Sequence, residues 1–167
     1  MPVVNTKSTN ITRLDTFQRA DSGIFNGRLY SQVATVEVAA TDDDTSVFRF
    51  FRVPSRAVVL SVQILNDAIT GGTSYDFGVH RTAADGGAVV DADAFATAVD
   101  MATARTAPLD VRFEASNIDT VERQLWQAVT ASPALTIDPR VDYDITATAN
   151  TVGSAAGTIT ARIVYQL

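Results

Sequence analysis

A catalytic centre needs side chains that exchange protons or hold a metal near neutral pH, and this chain supplies few of them. Its one histidine is His80, its glutamates are Glu37, Glu114 and Glu122, and it has no cysteine. A metal site of the kind built inside small β-barrels calls for several imidazoles, which one histidine cannot provide. Serine and aspartate are plentiful enough for a Ser-His-Asp arrangement around His80, but no Gly-x-Ser-x-Gly elbow frames a serine. His80 stands beside Arg81 at a strand end and reads as a surface hydrogen-bonding residue. The run Asp42-Asp43-Asp44 lacks the alternate ligand spacing and internal glycine of a calcium loop, so it reads as a solvated turn. Asp91 and Asp93 read as helix caps rather than a metal pair. Nothing in the spacing of the other carboxylates selects a pair for glycoside hydrolysis, and no glycine-rich loop followed by Lys is present to cradle phosphate. The expectation is a protein without catalytic residues, metal or cofactor.

The segment Phe48-Arg49-Phe50-Phe51-Arg52-Val53, followed by Arg56, interleaves aromatics and cations as a single-strand nucleic-acid groove would. Strand alternation also describes it as a buried strand whose arginines pair with neighbouring carboxylates. The net charge of −6 and a sequence pI near 4.6 favour the second reading, because neutralising phosphates requires a basic face. The basic residues are twelve Arg and only Lys7, a skew that suits interfaces as well as genome composition. No apolar run approaches the ~20 residues that span a bilayer, and the first twenty residues lack the apolar block of a signal peptide. The expectation is a soluble protein made without an export signal, partnered by neither nucleic acid nor membrane.

The elements that must position these residues are strands. Ser46 to Val53 ends against Pro54-Ser55. Ala57 to Leu65 alternates with Val58, Leu60, Val62 and Ile64 on one face, and Ser74 to His80 sets Tyr75, Phe77 and Val79 together. Three consecutive antiparallel strands paired through short turns are the expected framework. Further strands are expected over Gln32 to Ala40, Pro108 to Phe113, Pro133 to Asp138, Tyr143 to Ala149 and Thr158 to Gln166. Ala92, Phe95, Ala96 and Val99 fall at helical spacing and predict a helix over 92–101; Ile118, Val121, Leu125 and Val129 predict another over 117–129. Eight strands without a βαβ rhythm predict an all-β fold, an antiparallel β-sandwich of jelly-roll type with two short helices in its connections.

Residues 1–30 are polar and irregular but spotted with apolar side chains, and they read as an extended N-terminal arm ahead of a single domain over 31–167. Thirty extended residues reach at most about 100 Å, whereas a body of this size has a radius of gyration near ~14 Å. Val3, Val4, Phe17 and Phe25 are therefore the expected partner-binding residues, lying against another subunit or against a different protein of the same assembly.

Three stretches carry a family likeness: the opening Met-Pro-Val-Val-Asn-Thr-Lys-Ser-Thr-Asn-Ile-Thr, the segment Phe50 to Ser55 leading to Leu65-Asn66-Asp67-Ala68-Ile69, and Gly87 to Ala96. Together they resemble the jelly-roll cement, or decoration, proteins of short-tailed phage heads. The resemblance implies a non-enzymatic virion protein, made in the host cytoplasm, that sits on the outer capsid surface. It further implies that the protein bridges neighbouring major capsid subunits, stabilises the expanded head, and self-associates as a dimer, with a trimer the second form. The alternative from another class is a carbohydrate- or receptor-binding sandwich of a phage tail or secreted enzyme, which surface aromatic platforms would mark.

Overall fold

The β-branched and aromatic runs become strands, and each ends where a turn residue or a bulge interrupts the ladder. The computed structural model describes residues 28–113, 123–129 and 135–167. Among these the strands are β1 (Leu29–Val38), β2 (Val47–Pro54), β3 (Val58–Asn66), β4 (Ser74–Arg81), β5 (Val89–Val99), β6 (Leu109–Asp110), β7 (Asp142–Thr151) and β8 (Gly157–Gln166). Helical structure among the described residues is limited to two single 3-10 turns, Ala83–Asp85 and Val111–Phe113, and the four-residue α1 (Leu125–Ala128).

The strands form two four-stranded antiparallel sheets, ordered β1-β8-β3-β6 and β2-β7-β4-β5, packed face to face. Four of the pairings, β1 with β8, β2 with β7, β3 with β6 and β4 with β5, are those of a chain folded back on itself once at the β4–β5 hairpin. Rolling that long hairpin adds β3–β8 and β4–β7, which closes it into a jelly roll. The expected all-β sandwich is therefore the fold observed. Inward side chains of both sheets, among them Val53, Ile64, Phe77, Val79, Ile145 and Ile163, make one core between the layers.

Several expectations are corrected. The three consecutive strands β2, β3 and β4 do not pair with one another, because β3 lies in the sheet opposite β2 and β4. Pro54 to Ala57 is a sheet-switching corner, closed by the Ala57 amide on the Pro54 carbonyl (2.9 Å), and the partners of these strands come from the far end of the chain. In β3 a bulge between Val59 and Ser61 changes phase, so Val59, Val62 and Ile64 are buried while Val58 and Leu60 are half-buried. The helix expected over 92–101 is instead β5. Its partners on β4 explain the misleading period: Tyr75 faces Val99, Phe77 faces Ala96 and Val79 faces Asp91, so a step of two on β4 meets steps of three and five on β5. Bulges, one of them with Ala98 at φ 52°, thus mimic the i, i+3 stripe of a helix. Asp91 and Asp93 accordingly cap no helix.

Of the strand expected over Pro133 to Asp138, the described part, 135–138, is not extended ladder. Only Leu109 and Asp110 of the strand expected over Pro108 to Phe113 pair; Val111–Phe113 turns as 3-10. Of the helix expected over 117–129, residues 117–122 lie outside the described residues, and α1 is its observed remnant.

Candidate functional site

A group of interacting charged side chains, centred on a buried carboxylate, lies on the outer face of the β2-β7-β4-β5 sheet. There Asp144 on β7 faces Arg52 on β2 and His80 on β4. Arg49 and Arg52, three residues apart, would point to opposite faces of a regular strand. The bulge between Arg49 and Phe51 turns both toward Asp144. Arg49 donates from Nη1 to Oδ2 of Asp144 (2.9 Å), and Arg52 donates from Nε to Oδ1 (2.8 Å). Arg49 also reaches the backbone carbonyls of Arg81 (2.8 Å) and Gly87 (3.1 Å), roofing the cluster. Asp144 is only 4% exposed. Burial pushes its carboxyl up, but the hydrogen bonds and charges of Arg52 and Arg49 outweigh that and hold it below the ordinary carboxylate range.

His80 is a correction to the surface role expected of it. It is buried beside Asp144, with Nδ1 2.8 Å from Oγ1 of Thr146. Burial lowers its pKa first and the nearby Arg49 charge adds to this, opposed by Asp144, so the ring is neutral at pH 7. A neutral imidazole bound to a threonine, beneath an aspartate clamped by two arginines, fixes three strands together; both carboxylate oxygens are already engaged.

Asp91 and Asp93 share a hydrogen bond, which with burial raises the Asp93 carboxyl, but among the described residues no group of three or more His, Asp or Glu side chains could hold a metal ion. Asp44 of the acidic turn accepts the Val152 amide (2.9 Å), and Asp42 accepts the Ala39 amide (2.8 Å), as a turn requires. Val3, Val4, Phe17 and Phe25 lie outside the described residues.

Sequence reasoning missed Arg112, which is 1% exposed. It donates from Nε to the Val59 carbonyl (3.2 Å), and its guanidinium lies 5.3 Å from the centre of the Phe95 ring. It also missed the particular role of Asp144. The alternation Asp144, Thr146, Thr148 against Tyr143, Ile145, Ala147 marks that polar row, though not its arginine partners.

The surfaces divide sharply. The outer face of β1-β8-β3-β6 presents Leu29, Ser31, Val33 and Thr35 beside Thr160, Arg162, Gln63 and Leu65. Val33, Ile64, Leu65, Pro108 and Ala161 contribute to a shallow apolar depression of about 250 Å³ there. Residues 29–33 of β1 are all exposed, including Tyr30 and Gln32 from its inward row. By contrast Tyr75, Tyr143 and Tyr165 are buried, and Trp126 is half-buried.

The fold and these surfaces define an eight-stranded jelly roll with a clamped polar cluster on one sheet and an open face on the other. No protein-family model matches the chain, and no curated protein does. Among solved structures, it is similar to a chain of the cyanophage Pam1 capsid asymmetric unit, at 18% identity and a TM-score of 0.48, over 100% of this chain and 99% of that one. It is also similar to a chain of the acidic stable capsid structure of Helicobacter pylori bacteriophage KHP30, at 15% identity and a TM-score of 0.42, over 84% of this chain and 93% of that one.

Proposed function

We propose that the protein is a non-enzymatic capsid cement protein, which binds across joints of a phage head lattice and stabilises the expanded shell. The observation that carries the reading is the open surface formed by β1 and the outer face of its sheet, where Leu29 and Val33 are each 66% exposed. Exposed apolar side chains in a flat, sparsely charged setting suit assembly against another protein. The resemblance of the opening residues and of the Phe50 and Gly87 segments to phage cement proteins supports the same partner, the major capsid protein. Two linked contacts per molecule raise the effective concentration of the second, so modest interfaces of about 800 Å² per partner hold tightly once both engage. In this reading Val3, Val4, Phe17 and Phe25 contribute one contact, on the outer capsid surface of the virion. A glycan-binding role would use exposed rings as platforms, and the buried tyrosines are already committed to the core.

The test compares phage heads lacking this protein with complete heads for resistance to heat and low salt, then adds purified protein back. Restored resistance is expected. Bare heads as robust as complete ones, or protein that ignores expanded heads and binds an oligosaccharide array, would overturn the proposal.

A further inference from the structure

Among the described residues the two sheets end in four edge strands, and three of them are blunted. β6 is two residues long, β2 is bulged at Phe50 and ends in Pro54, and β5 is bulged repeatedly along β4. Short edges, bulges and proline are the usual devices that stop a sheet from recruiting another strand. β1 has none of them. It pairs with β8 in unbroken register over all ten residues from Leu29 to Val38, contains no proline, and carries one charge, Glu37. Its other edge meets no strand among the described residues, and residues 29–33 are exposed on both of its faces.

We infer that the free edge of β1 is a self-association site, where β1 of a second copy pairs antiparallel to it about a two-fold axis and joins two four-stranded sheets into one of eight. The inference deepens the self-association within the proposed function, and rests on that reading only for its purpose in a capsid.

Three observations favour a second copy as the occupant. First, a two-fold axis perpendicular to the sheet must pass midway between a residue and its own copy, so each inward residue of one β1 meets an inward residue of the other. The row Tyr30, Gln32, Ala34, Val36, Val38 then continues the sandwich interior across the joint without a charge. Second, the single charge is placed for antiparallel rather than parallel pairing. With the axis near Val33 or Ala34, the two Glu37 residues stand about 20–27 Å apart at ~3.4 Å per residue, beyond the screening length of ~8 Å. Third, the nine residues paired by an axis at Val33 or Ala34 supply about eight to ten main-chain hydrogen bonds, the number that a standard interface carries. The residues that precede β1 fit less well. A hairpin return through Asn26-Gly27 would set Asp15, Arg19 and Asp21 in the inward row opposite Val38, Ala34 and Gln32.

The test uses the full chain. Sedimentation equilibrium is expected to show a dimer, and Val33→Lys, which brings two like charges to the joint from an exposed position, is expected to weaken association about tenfold or more while the dissociated variant still unfolds cooperatively. Because the chain has no cysteine, single-cysteine variants at Ser31, Gln32, Val33, Ala34 and Thr35 report the pairing directly. Antiparallel two-fold pairing brings one of these positions to about 4.5–5.5 Å from its own copy, within disulfide reach, with cross-linking falling off on either side. A monomer at 100 µM overturns the inference and leaves the edge to residues 1–27 or to another protein. So does a dimer indifferent to Val33→Lys, or uniform or absent cross-linking. Binding to heads is scored separately, so a β1-paired dimer that fails to restore bare heads refutes the capsid role and leaves the edge pairing standing.

Discussion

Replacing Gly78 by alanine tests the least expected part of the fold, the course of β5 over β4. A Cβ on Gly78 would overlap the backbone of Asp91 and Ala92. Ordinary carbon contacts lie near ~3.5 Å, and backbone cannot rotate away as a side chain can, so β5 must move by about 1 Å along much of its pairing. Overpacking of this kind costs about 1–3 kcal/mol, and a displaced backbone belongs at the upper end. At roughly 2–4 °C per kcal/mol for a chain of this size, Gly78→Ala is expected to lower Tm by about 6–12 °C and to shift the urea midpoint without changing its slope. Gly86→Ala is the control. Gly86 has a left-handed φ of 78° with nothing within 4 Å of an added Cβ, so it incurs only conformational strain of about 1–2 kcal/mol. A helix over 92–101 would place no backbone above Gly78. A Gly78→Ala protein within about 1 kcal/mol of the parent, or more stable than Gly86→Ala, would therefore refute the strand assignment.

Acid should act in two steps. The folded pKa of His80 lies below its ordinary 6.5, so the unfolded chain takes the proton first and stability falls as pH drops from about 6.5 through the folded value. Asp144 behaves likewise from about 3.8 downward. Urea midpoints from pH 8 to 3 should show both losses, with His80→Gln removing the first and Asp144→Asn reducing the second, which Asp138 shares through its Ser55 hydrogen bond; stability that rises between pH 7 and 6 would contradict the sign. At pH 7 Asp144→Asn is expected to cost about 2–4 kcal/mol, since it leaves two cations with a weakened acceptor, whereas Arg52→Ala, at a side chain 53% exposed, should cost far less. The Tyr75 hydroxyl, which donates to the Val152 carbonyl (2.7 Å), is pushed up to about 12 by burial and by Asp42 and Asp44. Its folded pKa lies above its unfolded one, so stability should fall as pH rises past about 10. Tyr75→Phe should reduce that loss, leaving the part due to Tyr143, whose hydroxyl is also pushed up by burial, while costing about 1–2 kcal/mol at neutral pH, read by the same denaturant titration.

The strands built on strict alternation were legible. In β4, β7 and β8 every second residue is apolar over most of the length and the structure buries that row, whereas in β1 the alternation marks the strand but only Val38 of the inward row is buried. What escaped was set by neighbours far along the chain. The helical spacing of Phe95, Ala96 and Val99 is the trace of bulges whose registry is decided by β4, and the pairing of β2 with β7 spans 95 residues between Arg49 and Asp144. The polar cluster was half legible. The alternation implied that the arginines would find carboxylates, but their convergence on Asp144 depends on the bulge at Phe50, which has no signature in a run of aromatics. His80 looked superficial because a strand end is commonly exposed, yet Arg49 reaches from β2 across the intervening β7 to roof it.

A chain folded in half and then rolled has an order of completion written into its topology. The β4–β5 hairpin at the midpoint needs no distant partner, whereas β1 must wait for β8, as the 133-residue separation of the Gln32–Tyr165 hydrogen bond shows. At a synthesis rate of ~5–20 residues per second, that interval is roughly 7–27 s, during which β1 emerges with both of its edges bare. Half of that exposure ends when β8 arrives, inserting between β1 and β3 and joining strands that have no other link within their sheet. β8 is thus the keystone of its sheet, and the native pairing of β1 and β3 is complete only once that strand has emerged.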